Sequence, residues 1–301
     1  MNGPITNLAF PKINLTLRVV GKRPDGFHEI ESWVMPVGGM HDRVSVQEAE
    51  SFSLHVSGLA KGVPADQSNL VSRAAKALAE AFGKRCSIRV ELTKHIPAGA
   101  GLGGGSSDAA ATLIGLCKLW SINLSDPKLA EIAATLGSDV PYFLHDGAAL
   151  LRGRGEIVTP LDRCWHGWIG LVVPPLTIPT AEVYKRWSPA RQPISHAPVW
   201  EVPDIDAVSL GQSLYNDLEP AAFSYEPKLA KWATRISRLG RPAHMTGSGS
   251  GLFTVFEHPN EAEAWWNRAR DEFPEASVNI CRAPSARSMN KKSLENLPPS
   301  G

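Results

Sequence analysis

The stretch Ile96–Ala111, IPAGAGLGGGSSDAAA, limits what this chain can fold into more than any other, because it sets five glycines immediately ahead of a helix. Gly99, Gly101, Gly103, Gly104 and Gly105 can take backbone angles closed to other residues, and they leave no side chain between main-chain N–H groups and an incoming anion. Ser106 or Ser107 is placed to cap a helix from Asp108 to Trp120, whose Leu113, Ile114, Leu116, Cys117 and Trp120 make it largely apolar. A loop that ends on the positive end of a helix is suited to hold phosphate; the competing reading is a plain turn.

Three common nucleotide-binding signatures do not fit. No Lys follows the glycines, which excludes G-x-x-x-x-G-K-[ST]. Gly99, Gly101 and Gly104 satisfy G-x-G-x-x-G by letter, but Asp126, the nearest candidate for the acidic residue that should end the next strand, lies at a helix start in SDPKL. The H-R-D and D-F-G signatures of protein kinases do not occur.

Composition narrows the partners. The 301 residues suggest two ordinary domains or one large one, with 43% hydrophobic residues for the core. A net charge of +1 gives no electrostatic reason to expect nucleic acid or membrane, so the main ligand is expected to be small. Cys86, Cys117, Cys164 and Cys281 form no C-x-x-C pair, and the N-terminus lacks a signal-peptide pattern. A reducing cytoplasm and a monomer or weak homodimer are the expectations.

Along the chain, Ile13, Leu15, Leu17 and Val19 alternate as a strand with Lys12 at its start, where an edge lysine is ordinarily just solvated. Arg23-Pro24-Asp25-Gly26 is a turn, followed by Phe27 and His28 at the head of another strand, a pair that suits either base stacking or ordinary packing. Strands are expected within 44–56, a helix over 69–82, and a strand over 86–92 leading to the glycine loop. Asp126-Pro127 opens a helix that stops at Gly137. Asp139 then stands between glycine and an apolar run, a setting for a proton-accepting carboxylate beside a cation or for a helix cap. Strands over 147–152 and 168–173 flank GRGEIVTPL. Dense prolines surround a short helix at 180–187, then come helices at 211–224 and 227–239, the GSGSG cluster at 247–251, a strand LFTVFE, a helix and a last strand SVNICR. The second glycine cluster is either a helper loop for phosphates or a tight strand connection. The fold class is α+β, divided into 1–165, 166–284 and a polar tail over 285–301 expected to be mobile.

PKINLTL at 11–17, IPAGAGLGGGSSDAA at 96–110 and MTGSGSGLF at 245–253 resemble, in order and spacing, the three signature motifs of the superfamily of galactokinase, homoserine kinase, mevalonate kinase and phosphomevalonate kinase. RPDGFHE, GSDVPYFL and GRGEIVTPL make the chain look most like the branch that phosphorylates 4-diphosphocytidyl-2-C-methyl-D-erythritol in non-mevalonate isoprenoid synthesis. The resemblance implies a two-domain kinase: a ribosomal-protein-S5-like N-terminal domain containing a left-handed βαβ unit, and a ferredoxin-like C-terminal domain. It implies that Asp139 takes the proton of the substrate hydroxyl while Lys12 stands near the transferring phosphate. ATP would be held by Asn69, Lys94, Pro97, Gly99, Gly101, Leu102, Gly103, Gly104, Gly105, Ser106 and Ser107, with Mg²⁺ reaching Ser106 or Ser107 through ATP. Asn14, Phe27, His28, Tyr184, Gly247 and Ser248 would take a substrate bearing a cytidine diphosphate group. Phe27 replaces the tyrosine usual in RPDGYHE, so stacking is kept and a phenol hydroxyl is lost. The competing readings are a kinase for homoserine, mevalonate or a sugar, and a nucleotide-binding relative without catalysis. Retention of both Lys12 and Asp139 argues against the second.

Overall fold

The computed structural model describes residues 3–162, 165–189, 200 and 204–283. Cys164, the tail from residue 285 and much of the proline-rich connection lie outside the described residues.

Strands of the first half, such as DRVSVQE and IRVELTK, alternate buried apolar with more exposed polar residues at a period of two, and they form two sheets. Strands β1 (Ile5–Ala9), β5 (Asp42–Glu48), β7 (Ile88–Lys94) and β6 (Ser53–Gly58) make one, in the order β1-β5-β7-β6. Its β6 and β7 run parallel and are joined through helix α1 (Leu70–Ala81), which gives a βαβ unit. Helix α2 (Gly104–Trp120) and helix α3 (Pro127–Leu136) pack with α1 over this sheet, and Val44, Val46, Leu78, Val90, Leu113 and Leu116 fill the core between them. Helix α2 is buried nearly all round, from Ser107 to Cys117, so its apolar composition reflects contacts on several faces rather than one stripe.

The second sheet runs β11-β3-β4-β8-β9, with β2 (Lys12–Asn14) also on β4 (His28–Pro36). Its other members are β3 (Thr16–Lys22), β8 (Ala149–Arg152), β9 (Ile157–Pro160) and β11 (Tyr215–Asn216). The expected single strand from Ile13 is therefore two, interrupted at Leu15, and GRGEIVTPL contributes a strand of its own.

After residue 166 the order is β10 (Trp168–Val173), α4 (Thr180–Arg186), α5 (Ala207–Ser213), β11, α6 (Glu219–Tyr225), α7 (Pro227–Ser237), β12 (His244–Met245), β13 (Leu252–Phe256), α8 (Pro259–Glu272) and β14 (Ser277–Arg282). The sheet order β12-β13-β10-β14, antiparallel at each pairing, is that of a ferredoxin-like domain. The expected helix over 211–224 is broken in two. Pro220 stands in the first turn of α6, and Asn216 leaves the helical path to pair beside β3 while its side-chain amide donates to the carbonyls of Met245 (2.9 Å) and Gly247 (2.8 Å). Helical periodicity in the sequence was real on both sides of that break; a buried polar side chain with two carbonyls to satisfy decided the middle.

Candidate active site

Where the three motifs meet, they line one cleft of about 1050 Å³. Lys12, Asn14, Phe27, His28, Asn69, Lys94, Pro97, Gly99, Gly101, Leu102, Gly103, Gly104, Gly105, Ser106, Asp139, Tyr184, Gly247 and Ser248 all reach it. Ser107 does not: it is buried in α2, and its side chain is not part of the lining.

The expected cap is also corrected. Gly103, in the left-handed region at φ 69°, stands at the N-terminus of α2 with no side chain bonded to the helix, and Ser106 and Ser107 lie inside the first turn. The first N–H groups of a helix have no intrahelical partner, so an uncapped terminus in a cleft presents Gly104, Gly105 and Ser106 amides to an anion. The glycines divide by purpose. A Cβ on Gly99 would meet nothing within 4 Å, so there the missing side chain leaves open space. A Cβ on Gly101 would overlap the carbonyl oxygen of Thr246, and one on Gly103 would lie 2.8 Å from the Phe143 ring and 3.3 Å from Lys12 Cε. At those two positions glycine makes room for protein.

The second glycine cluster is the tight strand connection of the two readings, and it also reaches the cleft. It is the tight link between β12 and β13, and its Gly247 and Ser248 line the cleft while Gly251 N–H donates to Ala100 O at 3.1 Å.

Lys12 is 3% exposed, which removes the solvated-edge reading. Its ammonium donates to Asn14 Oδ1 (2.5 Å) and Gly101 O (3.0 Å) and lies 3.7 Å from Asp139 Oδ2. Asn14 in turn donates to Ser32 Oγ at 2.8 Å, which donates to Thr16 O at 2.6 Å. Those bonds fix the side chain that aims the lysine. Asp139 follows the end of α3, and the short 3-10 turn Tyr142–Leu144 begins from Pro141 without a side-chain cap bond, so Asp139 is not a cap there. Its side chain is 34% exposed, opening onto the cleft, while Val140, Tyr142 and Phe143 behind it are buried.

At the far end of the cleft the His28 and Tyr184 rings pack with centroids 5.1 Å apart and planes tilted by 33°, and Trp187 meets His28 edge-on at 5.4 Å. Burial, then nearby Lys22, lowers the His28 pKa, which favours a neutral ring with one donor and one acceptor. Burial first, and Asp139 second, raise that of the Tyr184 hydroxyl. Phe27 is 48% exposed, and the Arg154 guanidinium covers its ring at 4.8 Å while donating to Ala134 O at 2.8 Å. Arg154 was not singled out in the sequence; a lone Arg in GRGE carries no signal until α3 brings a carbonyl to it. Among the described residues no group of three His, Cys, Asp or Glu is arranged to hold a metal.

Residues 69–147 match the family model described as GHMP kinases N terminal domain, and residues 199–275 match GHMP kinases C terminal. The chain belongs to the GHMP kinase family. Among relatives of this GHMP kinase, the 4-diphosphocytidyl-2-C-methyl-D-erythritol kinase of Pelotomaculum thermopropionicum is 41% identical over 275 residues, covering 89% of this chain and 96% of the relative. That of Geobacillus thermodenitrificans is 39% identical over 263 residues, covering 86% and 90%. A crystal structure of 4-(cytidine 5'-diphospho)-2C-methyl-D-erythritol kinase superposes with a TM-score of 0.75 at 35% identity, covering 92% of this chain and 98% of that one. A homoserine kinase from Cytophaga hutchinsonii gives 0.71 at 19% identity over 94% of this chain and 95% of its own, a likeness of fold alone. Among the described residues no helix is long and apolar enough to cross a membrane.

Proposed function

We propose that this GHMP kinase transfers the γ-phosphoryl group of ATP to a hydroxyl of 4-diphosphocytidyl-2-C-methyl-D-erythritol in the cytoplasm. The observation that carries the reading is that Lys12 and Asp139, 3.7 Å apart, share a single cleft with an uncapped helix terminus and an aromatic pair beside a histidine.

The uncapped amides of α2 and the open side of Gly99 suit the ATP phosphates. Asp139 accepts the proton of the substrate hydroxyl as its oxygen bonds to the γ-phosphorus; the bond to the β–γ bridging oxygen breaks, and its electron pair leaves on ADP. Lys12, held by Asn14 and Gly101, neutralises charge on the transferring group. Mg²⁺ would neutralise further phosphate charge when carried in on ATP, and Ser106 is the hydroxyl at hand on the helix terminus. Asn69, the N-cap of α1, is committed to Val71 N–H through Oδ1 at 2.9 Å and meets the cleft at the same helix end. The domain division at 165/166 is part of the same proposal; its support is that all four strands of the ferredoxin-like sheet lie after residue 166, β11 alone among the described strands after that point joining the N-terminal sheet.

Phosphate transfer from ATP, offered in parallel the cytidine diphospho-methylerythritol, homoserine and mevalonate, tests the substrate. Transfer to the first is expected; transfer to either of the others in its place refutes the reading. Within the cleft, Tyr184→Ala removes a stacking face, whose contribution in nucleic-acid sites is about 1–3 kcal/mol per base, so the KM for the cytidine substrate should rise about 5- to 150-fold with the KM for ATP little changed. His28→Ala should blunt the preference for cytidine over uridine. Arg154→Met keeps a stem but no cation over Phe27, and an exposed cation–π contact of roughly 0.5–1 kcal/mol corresponds to a rise of about 2- to 5-fold in that same KM. An Arg154→Met enzyme with the parental KM shows that Phe27 needs no help in holding its ring.

A further inference from the structure

Lys94 Nζ sits between two carboxylates, those of Asp42 and Asp108, in a triad whose members are 3%, 0% and 2% exposed. Replacing such a buried ionic group by apolar side chains of similar volume is often neutral or stabilising, so fold stability alone is a weak reason for it. Its position supplies a stronger one. Asp42 opens β5, and its Oδ1 accepts from the backbone N–H of His95 (2.5 Å) and Ile96 (2.8 Å), the first two residues beyond β7; its Oδ2 takes the Lys94 ammonium. The same ammonium donates to Asp108 Oδ2 at 2.6 Å, inside α2 one turn beyond its start. The glycine loop leaves the sheet after Lys94 and enters the helix at Gly104, so one lysine ties its exit to its re-entry. A Cβ on Gly104 would sit 3.0 Å from Ile96 and 3.5 Å from Lys94 Nζ, which shows how closely the two ends approach.

We propose that Asp42 and Asp108, acting through Lys94, are positioning residues that set the span and direction of the phosphate loop, and so the affinity for ATP. The inference rests on the reading of that loop as the ATP-phosphate site. Burial first, opposed by Lys94, pushes the Asp108 carboxyl up to about 8, while the two carboxylates outweigh burial and raise Lys94. Asp108 Oδ1 is buried and finds no hydrogen-bond partner among the described residues, so this carboxyl is engaged on one oxygen only, toward Lys94.

Asp108→Ala cuts the tie to α2 and leaves a neutral Lys94–Asp42 pair in a position where alanine favours helix. Equilibrium binding of Mg-ATP should weaken by about tenfold, equivalent to roughly 1.4 kcal/mol. The KM for the alcohol substrate should stay within about twofold, a split that a general loss of structure would not give. Asp108→Asn keeps an oxygen for Lys94 to bond and should recover most of the affinity. If the alanine variant fails to fold, Asp108→Ser, too short to reach Lys94, is read by the same criteria. A folded Ala or Ser variant with parental ATP affinity overturns the proposal, as does an equal loss in Asp108→Asn, which would assign the effect to charge rather than to the tie. A parent protein that bound no ATP would instead contradict the kinase reading, and that is seen before any variant is made.

Discussion

Asp139→Asn should lower turnover by about 10²-fold or more while ATP affinity stays near that of the parent. The substitution is isosteric at a side chain that is 34% exposed, bonded to no helix end and backed by the buried Val140, Tyr142 and Phe143, so the fold has little to lose. What changes is chemistry. An amide accepts no proton from the attacking hydroxyl, and the cation 3.7 Å away loses its counter-charge while keeping its bonds to Asn14 and Gly101. The loss should therefore fall on kcat, in single-turnover as in steady-state measurements. Parental turnover in Asp139→Asn would remove this carboxylate from the mechanism and leave positioning and Lys12 as the whole of it.

The second large effect is expected at Gly101→Ala. A non-glycine residue in the left-handed region costs roughly 1–2 kcal/mol, and Gly101 sits there at φ 71°. Strain is the smaller part. The added methyl would overlap Thr246 O, so the two glycine loops must separate, and Thr246 Oγ1 accepts the backbone N–H of Asn14 at 3.0 Å. Displacement at that point reaches Asn14 and Lys12 directly, since Gly101 O also takes the lysine ammonium. Turnover should fall by about 10²-fold or more, on the scale of losses from a misplacement of about 1 Å. Gly83→Ala is the control: the same left-handed strain at φ 59°, with nothing within 4 Å of the new Cβ and no place in the cleft. Equal activity in the two variants would mean that contact between the glycine loops does not hold the reacting groups.

Much of this protein is local in origin, and that part was legible. Asp126 caps the helix it precedes, Pro127 sits at the start of α3, and the strand–glycine loop–helix order around residue 100 stands as read. Capping and turn chemistry act over three or four residues, so the neighbours that decide them are adjacent in the chain. Most of the cleft's membership was legible too, Lys12 and Asp139 included and Ser107 excepted, because the motifs resemble those of the family. Three things were not. Whether Lys12 is solvated or buried depends on Gly101 and Asn14 closing over it. Whether Ser106 caps α2 depends on where the helix begins, and Gly103 moves that start forward. Whether Lys94 faces a nucleotide or clamps a loop depends on Asp42, 52 residues earlier. Each answer is a contact between segments far apart in sequence, made only once two sheets and α2 have packed. Residue types and spacing determined what chemistry this chain can do; the packing of β5, β7 and α2 decided which of its charges remain free to do it.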